Sequence, residues 1–251
     1  AERAGPDAQA RAQIEQEVIN AAAECSPCAD AAYVYVTKSC TKDQRSSAPG
    51  IQCRVDEAKK VEDKGTFGKV ATKSQILRTA PDATVSRLHM LCSIKHAEKE
   101  ESLQKYKGRL VLAGNAITRL MDNKQVFPEG ADLGLFGEVT SLAGFRSVVW
   151  HSVRNGYQLG SADIANAYLN TKWPDSAAEH WLRIDRSTYE AMSPQLRAKI
   201  DAAGGIDVAF VKMDRCLYGH PISGHAWIEE LIAWLRSQGW STLQGTPAVL
   251  T

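Results

Sequence analysis

The chain has 251 residues, enough for one large domain or two small ones with a real core. Thirty Lys and Arg stand against 29 Asp and Glu, a net charge of +1, which excludes a basic arm, an acidic tail or a highly charged disordered chain as the overall description. Hydrophobic residues make up 44% and charged residues 24%, the mix of a globular protein, and no apolar run approaches the ~18–20 residues of a membrane span.

Residue 1 is Ala, and no basic stretch followed by an apolar one marks a signal peptide. The last residues, Thr-Pro-Ala-Val-Leu-Thr, follow directly on a helix and a turn. Both ends read as cut from a longer coding sequence, and an intracellular, reducing compartment is expected. Six cysteines, at 25, 28, 40, 53, 92 and 216, are too few for a disulfide scaffold in a chain this long. The first of them run Cys-x2-Cys-x11-Cys-x12-Cys. Only one pair is close and no His falls between, so scattered thiols are expected over a zinc knuckle.

In chain order, residues 8–24 read as a short amphipathic helix through Ile14, Val18 and Ala22. Residues 25–55 read as loop around an apolar patch at 32–36. Residues 55–64 carry both charge signs at helical spacing, the pattern of a solvated helix broken by Gly65. From about 70 to 114 the pattern is β. Val85–Ile94 and Arg109–Ala113 are apolar and flank the charged stretch 95–107, which predicts a long hairpin with a basic tip. Residues 140–155 predict a helix with Leu142, Phe145, Val149 and Val153 on one side and Gly156 beyond it. Leu159–Ile164 reads as a strand delivering Asp163 at its end, with a helix at 165–170. Val208–Met213 is a further strand. Ser223–Gln238 is an amphipathic helix with Trp227, Leu231, Trp234 and Leu235 on one face and Gly239 after it. The class is α+β.

The chemistry concentrates in Asp163-Ile164-Ala165-Asn166-Ala167-Tyr168-Leu169. A carboxylate at a strand end, then small residues, then an aromatic, suits a metal-dependent site. Taken alone, the same Asp reads as the cap of the following helix. Two other segments belong beside it. Lys105-Tyr106-Lys107-Gly108-Arg109-Leu110-Val111 lies upstream, and Leu217-Tyr218-Gly219-His220-Pro221-Ile222-Ser223-Gly224-His225-Ala226-Trp227 lies downstream.

In this order the segments resemble the reverse transcriptase of copia-type retrotransposons. That family shows Tyr-Lys-x-Arg-Leu-Val, Asp-Val-x-x-Ala-(Phe/Tyr)-Leu and Leu-Tyr-Gly-Leu-Lys-Gln. The resemblance covers about residues 57–240. It implies a right-hand polymerase of antiparallel sheet and packed helices. Fingers would span about 57–135 and part of the palm about 136–251, after an N-terminal extension or polyprotein linker at 1–56. It implies RNA-directed DNA synthesis on a template–primer with dNTPs, in which Mg²⁺ or Mn²⁺ ions stabilise the attacking and leaving oxygens. Asp163 matches the first metal-binding carboxylate, and Ile164 would add its backbone carbonyl. Tyr168 matches the ring that excludes a 2′-hydroxyl. Lys95, Lys107 and Arg109 would supply contacts to the triphosphate, as a mobile point charge or a fork. Lys99 and Lys105 read as solvated.

The pattern departs from the family at two places. Its Gln falls on Ile222 and its preceding Lys on Pro221, so an amide that could bond the nucleotide is replaced by an aliphatic chain. No Asp-Asp pair occurs anywhere in the chain. One carboxylate holds Mg²⁺ weakly, so the metal is expected only together with a second carboxylate motif. The 1–251 polypeptide is expected to be inactive by itself and to self-associate through uncovered palm surface. The alternative reading is a decayed or repurposed remnant that binds nucleic acid or a protein partner without catalysis. An unrelated α+β small-molecule-binding domain would make the motif matches accidental. His220, His225 and Cys216 make a poor zinc set. Gly65-Thr66-Phe67-Gly68-Lys69 is too short for a phosphate loop. Trp150, Trp173, Trp181 and Trp240 read as packing residues.

Overall fold

A computed structural model describes residues 36–126, 140–161, 163–243 and 249–250. The expected helix at 8–24 and most of the patch at 32–36 lie outside the described residues, as do Cys25 and Cys28.

The centre of the fold is β3, Thr84–Lys95. Leu88, Met90, Cys92 and Ile94 are buried on one face, while Arg87, Leu91 and Lys95 on the other are exposed. That alternation is the period-two pattern of a strand with one covered face. β4, Lys105–Leu112, returns antiparallel with register from Leu88↔Leu112 to Lys95↔Lys105. The expected long hairpin is therefore present, but its tip at 96–104 carries Glu98, Glu100 and Glu101 against Lys99 and is not basic, because the flanking lysines at 95, 105 and 107 lie in the strands. Its tip holds a 3₁₀ turn at Glu101–Leu103. β1, Thr37–Ser39, pairs antiparallel with the far end of β3, and the short β5, Thr118–Arg119, with its start.

At the start of β3, on the edge opposite β5, lies β6, His180–Ile184, paired in parallel from Thr84↔His180 to Arg87↔Arg183. β7, Ala209–Met213, and β2, Phe67–Thr72, complete the sheet as antiparallel neighbours. The sheet is mixed, which corrects the expected all-antiparallel arrangement. His180, Trp181 and Leu182 are all fully buried while Arg183 is exposed, so only the start of β6 is covered on both faces. A stretch buried on both faces does not alternate, so no period-two signal shows there.

Helices cover one face almost completely. α1 is Lys42–Ser46 and α2 is Ala48–Asp63. The Ser47 hydroxyl accepts from the Gly50 amide, and a Pro stands in the first turn. The polar, Pro- and Gly-bearing stretch read as loop is thus partly a pair of helix starts. α2 also corrects the solvated helix. It runs through residue 56 and buries Glu57, Ala58 and Val61 against β4. α6, Arg186–Ala191, and α7, Pro194–Ala202, start at Asp185 and Ser193, whose side chains accept amides of the first turn. Leu88, Leu110, Leu182, Val211, Leu196 and Ile200 form the main core on this side. Each fully buried aliphatic side chain contributes about 1.5–3 kcal/mol. A smaller core lies on the opposite face, where α3, Lys73–Thr79, sets Ile76 against Val85, Leu120, Trp181 and Phe210.

α4 is Leu142–Arg154, as the spacing predicts, with Gly156 beyond it at φ 68°. Its apolar side is nonetheless open: Leu142, Phe145 and Val153 are 60–63% exposed. The strand expected at Leu159–Ile164 is absent among the described residues. Residues 153–161 are exposed and have no ladder partner, so aliphatic content alone does not make a strand there. α5, Ala167–Asn170, is one turn long, and α8 is Pro221–Ser237. On α8 only Ser223 is buried, and Trp234 at 58% lies open on the face expected to pack. Among the described residues no helix is long and apolar enough to cross a membrane.

Candidate functional site

The segments that carry the sequence motifs meet at the end of β4. Cys216 and Leu217 are fully buried and anchor the chain after β7. The next residue, Tyr218, turns its carbonyl to β4, where the Leu112 amide donates to it at 2.8 Å. Gly219 follows at φ 94°. A Cβ there would lie 2.3 Å from the Leu112 carbonyl oxygen, so only glycine lets the turn close on the strand.

This clamp sets the Tyr218 ring under Arg109, whose guanidinium carbon is 4.7 Å from the ring centroid. Tyr168 also packs against this ring, with centroids 5.1 Å apart and planes tilted by 38°. Leu169 is fully buried and fixes the short α5 that carries Tyr168. Above Tyr168 the first turns of α8 pass closely: a Cβ on Gly224 would lie 3.4 Å from the Tyr168 hydroxyl oxygen. Arg109, Tyr218 and Tyr168 therefore form a stacked ledge of one cation and two rings.

Lys95 and Lys107 extend the ledge along the open sheet face. Arg109 is opposite Leu91, Lys107 opposite Ser93, and Lys105 opposite Lys95. The Lys107 ammonium is held below the usual lysine range, first by burial and then by the charges of Lys95, Arg109 and Lys60, with Glu57 opposing. Crowding of like charge is the signature of a place that favours anions. Glu57 itself is buried, ion-paired with Lys60, and accepts from the Leu110 amide at 3.4 Å.

Sequence reasoning missed other charges on this face. Arg87 and Arg183 stand directly opposite each other across β3 and β6, both exposed, and neither has an ion pair among the described residues. Like charges in that position repel. They line an open groove of about 900 Å³ with Lys73 and an apolar floor of Leu77, Val85 and Phe210. The alternation of β3 placed Arg87 on the outward face and was the available signal for it.

The remaining expected site residues are not gathered at the ledge. Asp163 and Ile164 are exposed in the irregular chain before α5, and Asp163 does not sit at a strand end. Downstream, Asn166 takes a left-handed conformation at φ 56°, and Asn170 is bonded by Lys64 at 2.8 Å and by Arg215 at 2.7 Å. The segment is thus pinned at its far end and open at the carboxylate. Ile222 is half-buried and lines a separate groove with Ile117, Arg119, Trp173 and His220. Its amide donates to His220 Nδ1 at 3.2 Å.

The donor set does not make a divalent-metal site. One exposed carboxylate and one carbonyl leave a hard cation with mostly water ligands. Among the described residues no group of three or more His, Cys, Asp and Glu is arranged to hold a metal ion. His220 is spent as the cap of α8 and packs edge-on against Trp173 and His180 at 4.7 and 4.6 Å. His180 is sandwiched between the Thr84 and Ser86 hydroxyls at 2.8 and 2.9 Å. Burial pushes the His220 imidazole down to about 4 and His180 well below its usual range, with His220 adding to the latter. Both rings are neutral packing elements at neutral pH.

Phe67, Gly68 and Lys69 lie within β2, so that stretch is not a phosphate loop. Trp181 is a core residue as expected, but Trp150 and Trp240 are about half exposed, which corrects their reading as packing residues. Trp150 stands on the open side of α4, with the Arg154 guanidinium 5.1 Å from its ring. Compared with protein-family models, with curated proteins and with solved structures, the chain finds no match.

Proposed function

We propose that this chain is the fingers and part of the palm of a copia-type reverse transcriptase, and that it binds nucleic acid and nucleotide phosphate without catalysing synthesis by itself. The observation that carries the reading is the ledge. Arg109, Tyr168 and Tyr218 come from the separate motifs of the resemblance, and Arg109 and Tyr168 each pack against the Tyr218 ring. An accidental match of short segments has no reason to converge in space. A ring beside a fork of N–H donors, flanked by Lys95 and Lys107, suits a sugar–phosphate with a stackable base.

RNA-directed DNA synthesis belongs, in this reading, to a longer parent that supplies further carboxylates for Mg²⁺ or Mn²⁺. Asp163 would be one ligand there. Its exposure and the lack of a metal-holding group among the described residues support an inactive fragment, and Ile222 in place of an amide favours the second reading, a remnant that binds without catalysis.

Anisotropy of a labelled RNA–DNA primer–template tests the proposal. Neutralising three phosphates gives a salt slope of about −2.7 and a loss of roughly 40-fold in affinity between 50 and 200 mM salt. Absence of binding at low salt would sink it. Primer extension with dNTPs and Mg²⁺ is expected to give no product. Extension that Asp163→Ala abolishes would overturn the inactivity of this polypeptide.

A further inference from the structure

Away from the ledge, on the covered face of the sheet, three cysteines far apart in sequence converge. Cys40 follows β1 directly, and its amide donates to the Cys92 carbonyl at 2.9 Å, continuing the β1–β3 ladder. Cys92 lies in β3 opposite Gly108. α2 crosses there so closely that a Cβ on Gly108 would lie 2.4 Å from the Cys53 carbonyl oxygen. The crossing brings the Cys53 sulfur to 3.6 Å from Cys92 Sγ, and Cys40 Sγ lies 3.1 Å from Cys92 Sγ on its other side. Cys40 and Cys92 are buried with Ile94, whereas Cys53 is partly exposed and also donates to the Gly50 carbonyl at 3.4 Å.

The geometry points to a thiol–disulfide relay in which Cys53 is the entry thiol and Cys40–Cys92 the final disulfide. The co-oxidant is a low-molecular-weight disulfide, RSSR. Cys53 attacks one of its sulfurs, forming Cys53–S–SR and releasing RSH, which takes the Cys53 proton. Cys92 then attacks Cys53 Sγ, forming Cys53–S–S–Cys92 and a second RSH with the Cys92 proton. Cys40 attacks Cys92 Sγ, forming Cys40–S–S–Cys92 and returning its proton to Cys53. One RSSR is reduced to two RSH, and the protein loses two hydrogens. The second and third attacks are between sulfurs already in contact, and only the first needs access to solvent.

The order follows from burial. A disulfide as large as oxidised glutathione reaches Cys53 and not the buried pair. Burial first, and then the neighbouring Cys92, push Cys40 and Cys53 up to about 12. Both therefore stay protonated at neutral pH, and the relay runs slowly there and faster in alkali. The final bond joins β1 to the hairpin that carries Lys107 and Arg109 on its other face, and it returns Cys53 as a thiol.

The test treats the full chain with oxidised glutathione at pH 7.5 and 9 and maps cross-linked peptides by mass spectrometry over time. The expected sequence is glutathione on Cys53, then a Cys53–Cys92 link, then Cys40–Cys92, each step at least fivefold faster at pH 9. Cys53→Ser should slow the Cys40–Cys92 link about tenfold, and Cys40→Ser should stop the reaction at Cys53–Cys92. The wild-type time course stands even if a variant fails to fold. The proposal is overturned if no link forms among these cysteines or if Cys40–Cys92 forms without a Cys53 adduct. It is also overturned if the purified chain carries a stoichiometric zinc ion that thiol reagents release.

Discussion

The guanidinium of Arg109 lies 4.7 Å from the ring centroid of Tyr218, although 109 residues separate the two in the chain. Neither position is exceptional alone. The contact exists because the turn after β7 is bonded to the Leu112 amide, three residues beyond Arg109 on β4. A cation–π pair of this kind contributes about 0.5–1 kcal/mol at an exposed site. Tyr218→Ala should weaken primer–template binding by roughly tenfold, since it removes a stacking platform as well as the pair. A double-mutant cycle with Arg109→Ala should give a coupling near that pair energy. Strict additivity would mean that the Arg109–Tyr218 contact itself adds nothing to binding.

Lys107→Gln should change the salt dependence more than the sequence preference. Removing one phosphate contact lowers the slope of log K against log salt by about 1. Affinity measured at four salt concentrations checks this. An unchanged slope would place the phosphates elsewhere on the sheet.

Gly219 holds the turn in a conformation that other residues resist. Gly219→Ala should cost about 1–3 kcal/mol, from its φ of 94° and from the clash with the Leu112 carbonyl. Chemical denaturation reads the stability loss, and binding should fall in parallel because Tyr218 moves with the turn. Retained stability and retained binding would show that the clamp is slack.

Acid should unfold the protein through its paired imidazoles. His220 and His180 titrate below the ordinary histidine value in the folded chain, so the unfolded chain binds more protons between about pH 4 and 6.5. Their neutral packing stabilises fully above 6.5, and that contribution is lost as pH falls towards about 4. For His220 the loss is on the order of 3 kcal/mol. His220→Gln should flatten the stability profile across this window, and a profile as steep as wild type would assign acid sensitivity to other groups.

The open apolar sides of α4 and α8 should drive self-association. Phe145, Val153 and Trp234 lie on them, each more than half exposed. Sedimentation should show concentration-dependent oligomers with binding of an apolar-surface dye, and Phe145→Ser with Val153→Ser should reduce both. A monomer that binds no dye would count against it.

The hairpin, α4 and α8 were legible in the sequence because each carries its own periodicity and its own stop signal. β6 was not, because His180–Ile184 is only five residues long and mixes His and Arg with its apolar positions, too short for a period to show. α6 and α7 are short, and their starts at Asp185 and Ser193 are visible only once a cap is sought. Arg109 and Tyr168 were found as residues of motifs, yet their junction through Tyr218 depends on a turn docking to a strand edge, which no local pattern encodes. The false strand at Leu159–Ile164 shows the opposite failure: aliphatic residues with no neighbour to pair with. Cys40, Cys53 and Cys92 were spaced too irregularly for a motif, and they meet only through the β1–β3 ladder and the crossing of α2 over Gly108.

The parallel pairing of β3 with β6 also bears on how the chain is made. Thr84 and His180 face each other across that pair at a separation of 96 residues. During synthesis at 5–20 residues per second, β3 waits roughly 5–20 s for its neighbour to be translated. The β3–β4 hairpin closes meanwhile, since its partners are close in sequence. The start of the central strand, Thr84–Arg87, however, lacks its β6 neighbour on the ribosome until β6 emerges. That interval is when a nascent chain is open to wrong strand pairing, and it is the step at which a chaperone would have the most effect on yield.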